Sequence, residues 1–161
     1  MLLQKQCIAR DMPSCPGTSS IKTASWFTRL PDGHARIGIS RGTPRRTPAG
    51  YRIYRALAPG PWFNSVGMDE YAHRYRTEIL APLDPRAVTD DLLRLGAGLL
   101  PVILCYERAG SGRWCHRALV AEWLSEALGC MVPEIGFEDL PQHEHPLMPP
   151  QLRHLTSYPT T

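Results

Sequence analysis

The sequence predicts a single compact α/β domain with a mixed, partly parallel sheet of about four or five strands and about three helices, in a three-layer-like arrangement. Three observations support this prediction. A length of 161 residues suits one domain. Hydrophobic residues at 43% and charged residues at 20% are near the averages for globular proteins. The apolar run 102–104 is followed by a Gly/Ser loop and then by apolar residues at helical spacing over 119–128, which is the strand-loop-helix order of α/β folds.

Two strands are expected at the start of the folded region, over 21–27 and 35–40. In the second, polar or small residues alternate with apolar ones, which is typical of a half-buried strand. An Asp-Gly pair at 32–33 supplies a turn between them, so the two strands are expected to pair directly. Residues 51–57 are ambiguous between strand and helix, and the Pro-Gly-Pro at 59–61 ends them.

Three helices are predicted from the spacing of apolar residues, over 68–80, 85–95 and 115–128. The second opens with Asp84 and Pro85, which are favourable at the N-cap and the first helical position. The third should close at Gly129, because glycine readily adopts the left-handed conformation that ends many helices. A last strand is expected over 131–136, since the chain that leaves this helix must return to the sheet.

The chain divides into a domain over 21–140 and two looser ends. Residues 1–20 show neither a helical nor a strand period and are expected to form a flexible N-terminal tail. Residues 141–161 are rich in proline and are expected to form a C-terminal tail. Two pairs of possible metal ligands lie in these ends: Cys7 with Cys15, and His143 with His145. Loose segments rarely hold the geometry of a metal site, so both pairs are interpreted as incidental.

The positive charge is concentrated in one segment. Residues 29–55 contain seven arginines and a single acidic residue, Asp32, although the net charge of the chain is only +3. Within this segment, residues 40–46 combine hydroxyl groups, a glycine and arginines, which suits a loop that binds phosphate or carboxylate. A solvated arginine-rich loop explains the same residues equally well. No Walker loop, dinucleotide fingerprint or nucleophile elbow is present, so the cofactor stays unassigned.

The sequence also indicates where in the cell the protein is expected. No stretch approaches the roughly 20 apolar residues of a membrane span, and no apolar signal region follows the first residues, so no membrane partner is expected. Five cysteines in 161 residues are neither dense nor even in number, which favours reduced thiols over a disulfide framework. The cytoplasm is therefore the predicted location.

Two reactive clusters lie one loop apart. Residues 105–107, Cys-Tyr-Glu, follow the predicted central strand, and residues 115–117, Cys-His-Arg, open the next helix. Free backbone N–H groups and the helix dipole at a helix N-terminus favour a thiolate or a bound anion. In α/β sheets, ligands bind beyond the carboxyl ends of the strands, where both clusters would lie. The spacing C-x9-C-H matches none of the usual structural zinc motifs, so no metal is expected.

These clusters resemble the hallmark of a known family. Residues 104–107 read Leu-Cys-Tyr-Glu, and residues 114–124 begin Trp-Cys-His-Arg. This pattern is similar to that of domain of unknown function 488 (DUF488), over about residues 100–136 and more loosely over 36–82. The resemblance implies a compact α/β domain of the bacterial cytoplasm whose activity is not settled. Many relatives place a full helix between the first two strands, whereas only residues 28–34 are free for that here.

Three functional hypotheses follow. The first is a cysteine-dependent or metal-assisted enzyme that acts on a phosphorylated or nucleotide-like substrate. Its catalytic residues would be Cys115 as the thiolate, with His116 and Glu107 as acid or base. The residues that bind the anion or substrate would be Arg41, Thr43, Arg45, Arg117, Cys105 and Tyr106.

The second hypothesis is a non-catalytic module that uses the same basic face to bind a nucleotide or nucleic acid. In the third, the cluster is structural: Cys105 and Cys115 are buried small residues, and Arg117 forms an ion pair with Glu107 beneath the loop. A small anionic ligand or nucleotide is the partner that the first two hypotheses share.

Overall fold

A computed structural model describes residues 20–153. Its sheet contains four strands: β1 (Lys22–Ser25), β2 (His34–Gly38), β3 (Arg52–Ile53) and β4 (Leu100–Cys105). They lie in the order β1-β4-β2-β3, and all three pairings are parallel, where a mixed sheet was expected. The α/β class, with four strands and three helices, is confirmed.

The expected direct pairing of the first two strands is wrong. β4 lies between them, with Ile103 aligned with Thr23 on one side and with Ile37 on the other. Val102, Ile103 and Leu104 of β4 are fully buried, which suits a central parallel strand that is covered on both faces. The turn at 32–33 therefore returns the chain to the start of a parallel strand, and no helix lies between β1 and β2.

Three helices accompany the sheet. They are α1 (Met68–Arg74), which continues as a π-helical segment (Tyr75–Leu80), α2 (Pro85–Gly96) and α3 (His116–Leu128). Asp84 caps α2 by accepting a hydrogen bond from the backbone of Arg86 at 2.9 Å. Gly129 ends α3 with φ at +66°, in the left-handed conformation that the sequence predicted.

The helices pack on one face of the sheet. The main core joins their apolar residues to Ile37, Ile39 and Ile103 of the strands and loops. On the opposite face, the smaller core around Trp26 and Leu104 is covered only by strand and loop residues of the described part of the chain. The expected three-layer-like arrangement is thus a single helical layer with a thin covering on its other side. None of the described helices is long and apolar enough to cross a membrane.

The segment after α3 contributes more to the core and less to the sheet than expected. The strand predicted over 131–136 is reduced to one parallel bridge between Glu134 and Thr23. Within the proline-rich segment that was predicted as a tail, Leu147 and Met148 are fully buried against the main core. The predicted N-terminal tail, with Cys7 and Cys15, lies outside the described residues.

Candidate active site

A cavity of about 620 Å³ opens at the carboxyl edge of the sheet, where β2 and β4 end. This is the edge at which α/β folds place their ligands. The volume is in the range of small-molecule sites. Six of the residues predicted for the site line this cavity: Arg41, Cys105, Tyr106, Glu107, Cys115 and His116.

The buried end of the cavity holds two thiols and an imidazole, which together with Glu107 we name the thiol cluster. The His116 Nδ1 atom lies 3.9 Å from the sulfur of Cys105 and 3.9 Å from the sulfur of Cys115. The three ligand atoms all lie within 4.8 Å of one another. Cys105 is the last residue of β4, and Cys115 is the N-cap of α3, so the strand end and the helix start bring the two thiols together.

Hydrogen bonds orient the His116 ring. Its Nε2 atom lies 3.4 Å from the carbonyl oxygen of Ile39, which can only accept, so Nε2 carries the hydrogen. Nδ1 then faces the two sulfurs with a lone pair, and the Tyr71 hydroxyl lies 3.3 Å from it as a donor. Burial raises the pKa of Tyr71, which keeps this hydroxyl protonated. The ring therefore presents a proton acceptor to the thiols.

The two thiols differ in acidity. Burial disfavours ionisation of Cys115, but the Cys105 thiol, the His116 ring and the Arg117 guanidinium outweigh it and hold the pKa of Cys115 well below its ordinary value. The pKa of Cys105 is raised well above its ordinary value, first by its hydrogen bond to Cys115 and then by burial. The pair thus shares one negative charge, which resides on Cys115, while Cys105 keeps its proton.

Glu107 supplies a carboxyl group to the same cluster. Its Oε2 atom lies 3.6 Å from the sulfur of Cys105. Burial, and next the negative charge of Cys115, raise the pKa of Glu107. A carboxyl group beside a thiolate thereby keeps its proton to a higher pH than an ordinary carboxyl group, which favours the form that a general acid requires.

Arg117 lies beneath the cavity rather than in it. Its guanidinium is fully buried and donates two hydrogen bonds to Glu134, from Nε at 3.1 Å and from Nη2 at 2.7 Å. The ion pair with Glu107 that the structural hypothesis required is therefore wrong. The third guanidinium nitrogen, Nη1, is buried and has no hydrogen-bond partner within residues 20–153, and the charge of Arg117 favours the Cys115 thiolate.

The partners of Glu134 complete a second buried group, which we name the ion-pair cluster: Thr23, Arg117, Glu134 and His145. The Thr23 hydroxyl donates to Glu134 at 2.6 Å, and the His145 Nε2 atom lies 3.0 Å from the Thr23 oxygen. The backbone N–H of Leu147 donates to His145 Nδ1 at 3.2 Å, so Nε2 carries the ring proton of the neutral form. Burial lowers the pKa of His145 to about 4.

The predicted anion loop, residues 40–46, contributes Ser40, Arg41 and Gly42 to the cavity lining. Arg41 lines it, with a hydrogen bond from its Nη1 atom to the carbonyl oxygen of Pro59 at 2.9 Å. The Arg41 guanidinium also lies 5.4 Å from the centre of the Phe63 ring. Thr43 and Arg45 do not line the cavity, and Arg45 is exposed to solvent.

Several residues of the site were missed by the sequence analysis. Tyr71, Arg113 and Trp114 line the cavity, and Tyr71 comes from α1, which carries no local signal of a site. Glu134 lies within the last strand predicted over 131–136, and His145 belongs to the pair that was interpreted as incidental. Arg113 and Trp114 directly precede Cys115 in the sequence, whereas long-range packing brings Tyr71, Glu134 and His145 to the site, so no spacing in the sequence could have identified those three.

The thiol cluster also has the donors of a metal site. At a tetrahedral zinc ion, with zinc–sulfur near 2.3 Å and zinc–nitrogen near 2.05 Å, a sulfur and a nitrogen ligand lie about 3.6 Å apart. The two sulfur–nitrogen distances of 3.9 Å are close to that value. Cys105, Cys115 and His116 therefore fit a zinc ion as three ligands, and would leave a position open for a small molecule.

The fold and site define a class: a parallel α/β domain with a thiol-imidazole centre at the carboxyl edge of its sheet. The chain belongs to the DUF488 family. Residues 21–128 match the family DUF488-N3a, described as the active DUF488-N3 subclade, and this match contains the whole thiol cluster. No curated protein and no solved structure matches the chain.

Proposed function

We propose that the protein is an enzyme in which the Cys115 thiolate attacks a phosphorylated or nucleotide-like substrate. The observation that carries this proposal is the thiol cluster at the buried end of the cavity. There, the acidic thiol, an imidazole nitrogen and a carboxyl group of raised pKa meet within reach of one bound molecule. The description of the matched subclade as active is consistent with an enzyme.

The residues divide the reaction into two steps. Cys115 enters the reaction as the thiolate, with its proton on His116 Nδ1, and attacks an electrophilic carbon or phosphorus of the substrate. As the sulfur bond forms, the bond to the leaving group breaks, and the protonated Glu107 donates its proton to that group. Water then displaces the sulfur and gives a proton to the Glu107 carboxylate, which restores the starting form. The proton of Cys105 stabilises the thiolate before attack.

The cations near the cavity favour an anionic substrate. Arg41 and Arg113 both line the cavity, and the guanidinium group matches phosphate oxygens in its geometry. Among the described residues that line the cavity, Glu107 is the one with a carboxyl group, and its raised pKa disfavours its charged form. The cytoplasm is the location that we propose, since a thiolate mechanism needs the reduced cysteines of that compartment.

The test is the rate at which iodoacetamide alkylates each cysteine between pH 5 and pH 9, followed by peptide mass spectrometry. Because the pKa of Cys115 is depressed and that of Cys105 is raised, Cys115 should react first at pH 7. Cys7 and Cys15 are the reference thiols. AMP or ribose 5-phosphate in the cavity should slow the reactions of Cys115 and Cys105, which line it, and leave that of Cys130 unchanged.

Two variants control this experiment. His116→Gln removes an imidazole that favours the Cys115 thiolate, so the alkylation profile of Cys115 should move to higher pH and its reaction at pH 6 should slow by about tenfold or more. Cys130→Ser changes a half-buried cysteine outside the cavity and should leave the profile unchanged. A Cys115 that reacts more slowly than Cys7 at pH 7 would exclude it as a nucleophile.

A second candidate function is a metal-dependent hydrolase, and the near-tetrahedral spacing of Cys105, Cys115 and His116 favours it. Bound zinc would supply a water molecule of lowered pKa. Glu107 would then exchange protons with that water and with the leaving group rather than support a thiolate.

Elemental analysis separates the two candidates. The chain would be purified from a culture supplemented with zinc, without chelators. The thiolate proposal expects much less than one metal ion per chain, in line with the absence of a standard zinc motif. About one zinc per chain, lost in Cys115→Ser and kept in Cys130→Ser, would replace the thiolate mechanism with the metal-dependent one.

A further inference from the structure

Aromatic and cationic side chains extend beyond the cavity along the carboxyl edge of the sheet. We name five of them the aromatic edge: Phe27, Arg108, Tyr106, Arg41 and Phe63. Phe27 follows β1, Tyr106 and Arg108 follow β4, Arg41 follows β2, and Phe63 lies in the loops after β3. With the strand order β1-β4-β2-β3, these residues come from the segments that follow the four strands in turn.

Contacts join neighbouring members of this edge. The Arg108 guanidinium lies 5.0 Å from the centre of the Phe27 ring, and the Phe27 and Tyr106 rings lie 6.3 Å apart, edge to face. A Cβ atom at Gly42 would lie 3.5 Å from the Tyr106 hydroxyl, which places this ring beside the loop of Arg41. Aromatic rings and guanidinium groups thus lie next to one another along this edge, from outside the cavity to its lining.

These side chains are available to a partner. Phe27, Phe63 and Tyr106 are exposed by 49%, 42% and 38%, although large aromatic side chains are usually buried. Over residues 20–153, no ion pair involves Arg41 or Arg108. The edge therefore offers flat apolar surfaces and uncompensated positive charge to the same ligand.

We infer that the aromatic edge binds single-stranded nucleic acid and that the nucleotide-like substrate of the cavity is one nucleotide of that strand. Bases stack on aromatic and guanidinium planes, and phosphates pair with arginines, so one strand satisfies both kinds of residue. Four strands at about 4.8 Å spacing span roughly 14 Å, several times the 3.4 Å rise of stacked bases.

The geometry favours a strand over the other possible ligands. A free nucleotide that fills the cavity would leave Phe27 uncovered, because Phe27 does not line the cavity. The bases of a duplex are paired and stacked inside it, so they cannot lie on these rings. This inference rests on the proposed function for the fate of the nucleotide in the cavity, whereas the binding of the strand can be measured without any reaction.

The experiment measures the anisotropy of fluorescein-labelled single-stranded 12-mers of DNA and RNA with the full chain, between 50 and 200 mM NaCl. We expect one of them to bind more tightly than the duplex of the same sequence and more tightly than AMP. Phe27→Ala should weaken binding by about 5- to 100-fold, the effect of losing one stacked base. Arg108→Ala should reduce the slope of log K against log salt by about 0.7.

Matched controls lie at the opposite edge of the sheet. Leu99 precedes β4, and its exposed fraction of 48% is similar to that of Phe27. Arg52 is an exposed arginine at the start of β3. Leu99→Ala and Arg52→Ala should leave the affinity within about twofold, as expected of surface changes outside the binding site. Equal effects of Phe27→Ala and Leu99→Ala would overturn the inference, as would equal affinities for single strand and duplex.

The outcome is independent of the alkylation experiment. If AMP binds and the 12-mer binds no more tightly than AMP, the ligand is a free nucleotide. This result would contradict the binding of a strand and leave the enzyme proposal intact. Tight binding of the 12-mer by a protein whose Cys115 is unreactive would support the strand and contradict the thiolate mechanism.

Discussion

The ion-pair cluster and the thiol cluster flank the first turn of α3, and they differ in how closely their charged groups are paired. In the ion-pair cluster, Glu134 accepts hydrogen bonds from Arg117 and Thr23, and the adjacent space is only about 10 Å³. In the thiol cluster, the contacts are longer, at 3.6 to 3.9 Å, and the groups face a cavity of about 620 Å³.

The difference indicates which polar residues hold the fold and which await a ligand. Groups that satisfy one another in a closed space contribute to folding, and their loss leaves a buried charge without a partner. Groups with perturbed pKa values that face open space are retained at a cost to stability, which is typical of active sites. Changing Glu to Gln in each cluster should therefore have opposite effects.

The largest effect is expected for Glu134→Gln. It removes the charge that compensates the fully buried Arg117, so the free energy of unfolding should fall by about 3–5 kcal/mol, measured by urea denaturation at pH 7. Glu138→Gln, in the exposed pair with Lys22, is the matched control and should cost at most about 1 kcal/mol. A loss of under 1 kcal/mol for Glu134→Gln would remove the distinction between the two clusters.

The second effect concerns pH. The pKa of His145 is about 4 in the folded protein and about 6.5 when unfolded, so the unfolded chain binds the proton more readily between these values. The contribution of neutral His145 to the free energy of unfolding should therefore be fully present above pH 6.5. The free energy of unfolding of the wild type should fall by about 3 kcal/mol towards pH 4 as this contribution is lost. Protonation would also break the hydrogen bond that His145 accepts from Leu147.

His145→Gln tests this dependence, because glutamine can still accept from Leu147 and donate to Thr23 without titrating. Urea denaturation of both proteins from pH 4 to pH 7 isolates the contribution of His145 from that of the carboxylates. The free energy of unfolding of the wild type, minus that of the variant, should decrease as the pH falls from 7 to 4. Parallel curves over this range would show that His145 does not titrate as proposed.

A smaller effect of opposite sign is expected for Glu107→Gln. Because the folded pKa of Glu107 is raised, its charged form is disfavoured in the folded state at pH values above the unfolded pKa. The neutral variant should be more stable at pH 7, by less than about 1 kcal/mol because the group is partly solvated, and should turn over substrate slowly. Destabilisation comparable to that of Glu134→Gln would place Glu107 among the structural residues.

The smallest effects are expected for Arg41→Ala and Arg45→Ala. Both residues are exposed, and neither belongs to an ion pair within residues 20–153, so the melting temperature should change by no more than a few degrees. Leu124→Ala, at a fully buried position of α3, should cost about 2–5 kcal/mol and serves as the reference. A similar loss for either arginine would contradict its assignment to an exposed loop.

Local signals in the sequence predicted the helices well. The observed bounds of α2 and α3 lie within one residue of the predicted ones, since Asp84, Pro85 and Gly129 mark the ends through short-range geometry. The order of the strands could not be predicted in this way. Pairing with β4 depends on segments that are remote in sequence, and the turn residues at 32–33 are compatible with both arrangements.

In the candidate site, too, some residues could be predicted from local signals and others depend on remote segments. Cys105 and Glu107 follow a strand, and Cys115 begins a helix, so the topological rule for α/β sheets was enough to bring them to one edge. The position of Arg117 depends on Glu134, which lies on a different segment after α3. A motif that reads Cys-His-Arg cannot show that its first two residues face a cavity while the third points away from it.

The place of β4 between β1 and β2 has a consequence for synthesis of the chain. Ser25 and Tyr106 meet across the sheet although they are 81 residues apart, and neither β1 nor β2 has its central partner until β4 has left the ribosome. Such non-local pairing slows folding and leaves unpaired strand edges on the nascent chain. Since Cys105 ends that same strand, the chain completes its sheet and acquires the first of the two cavity thiols in a single late event.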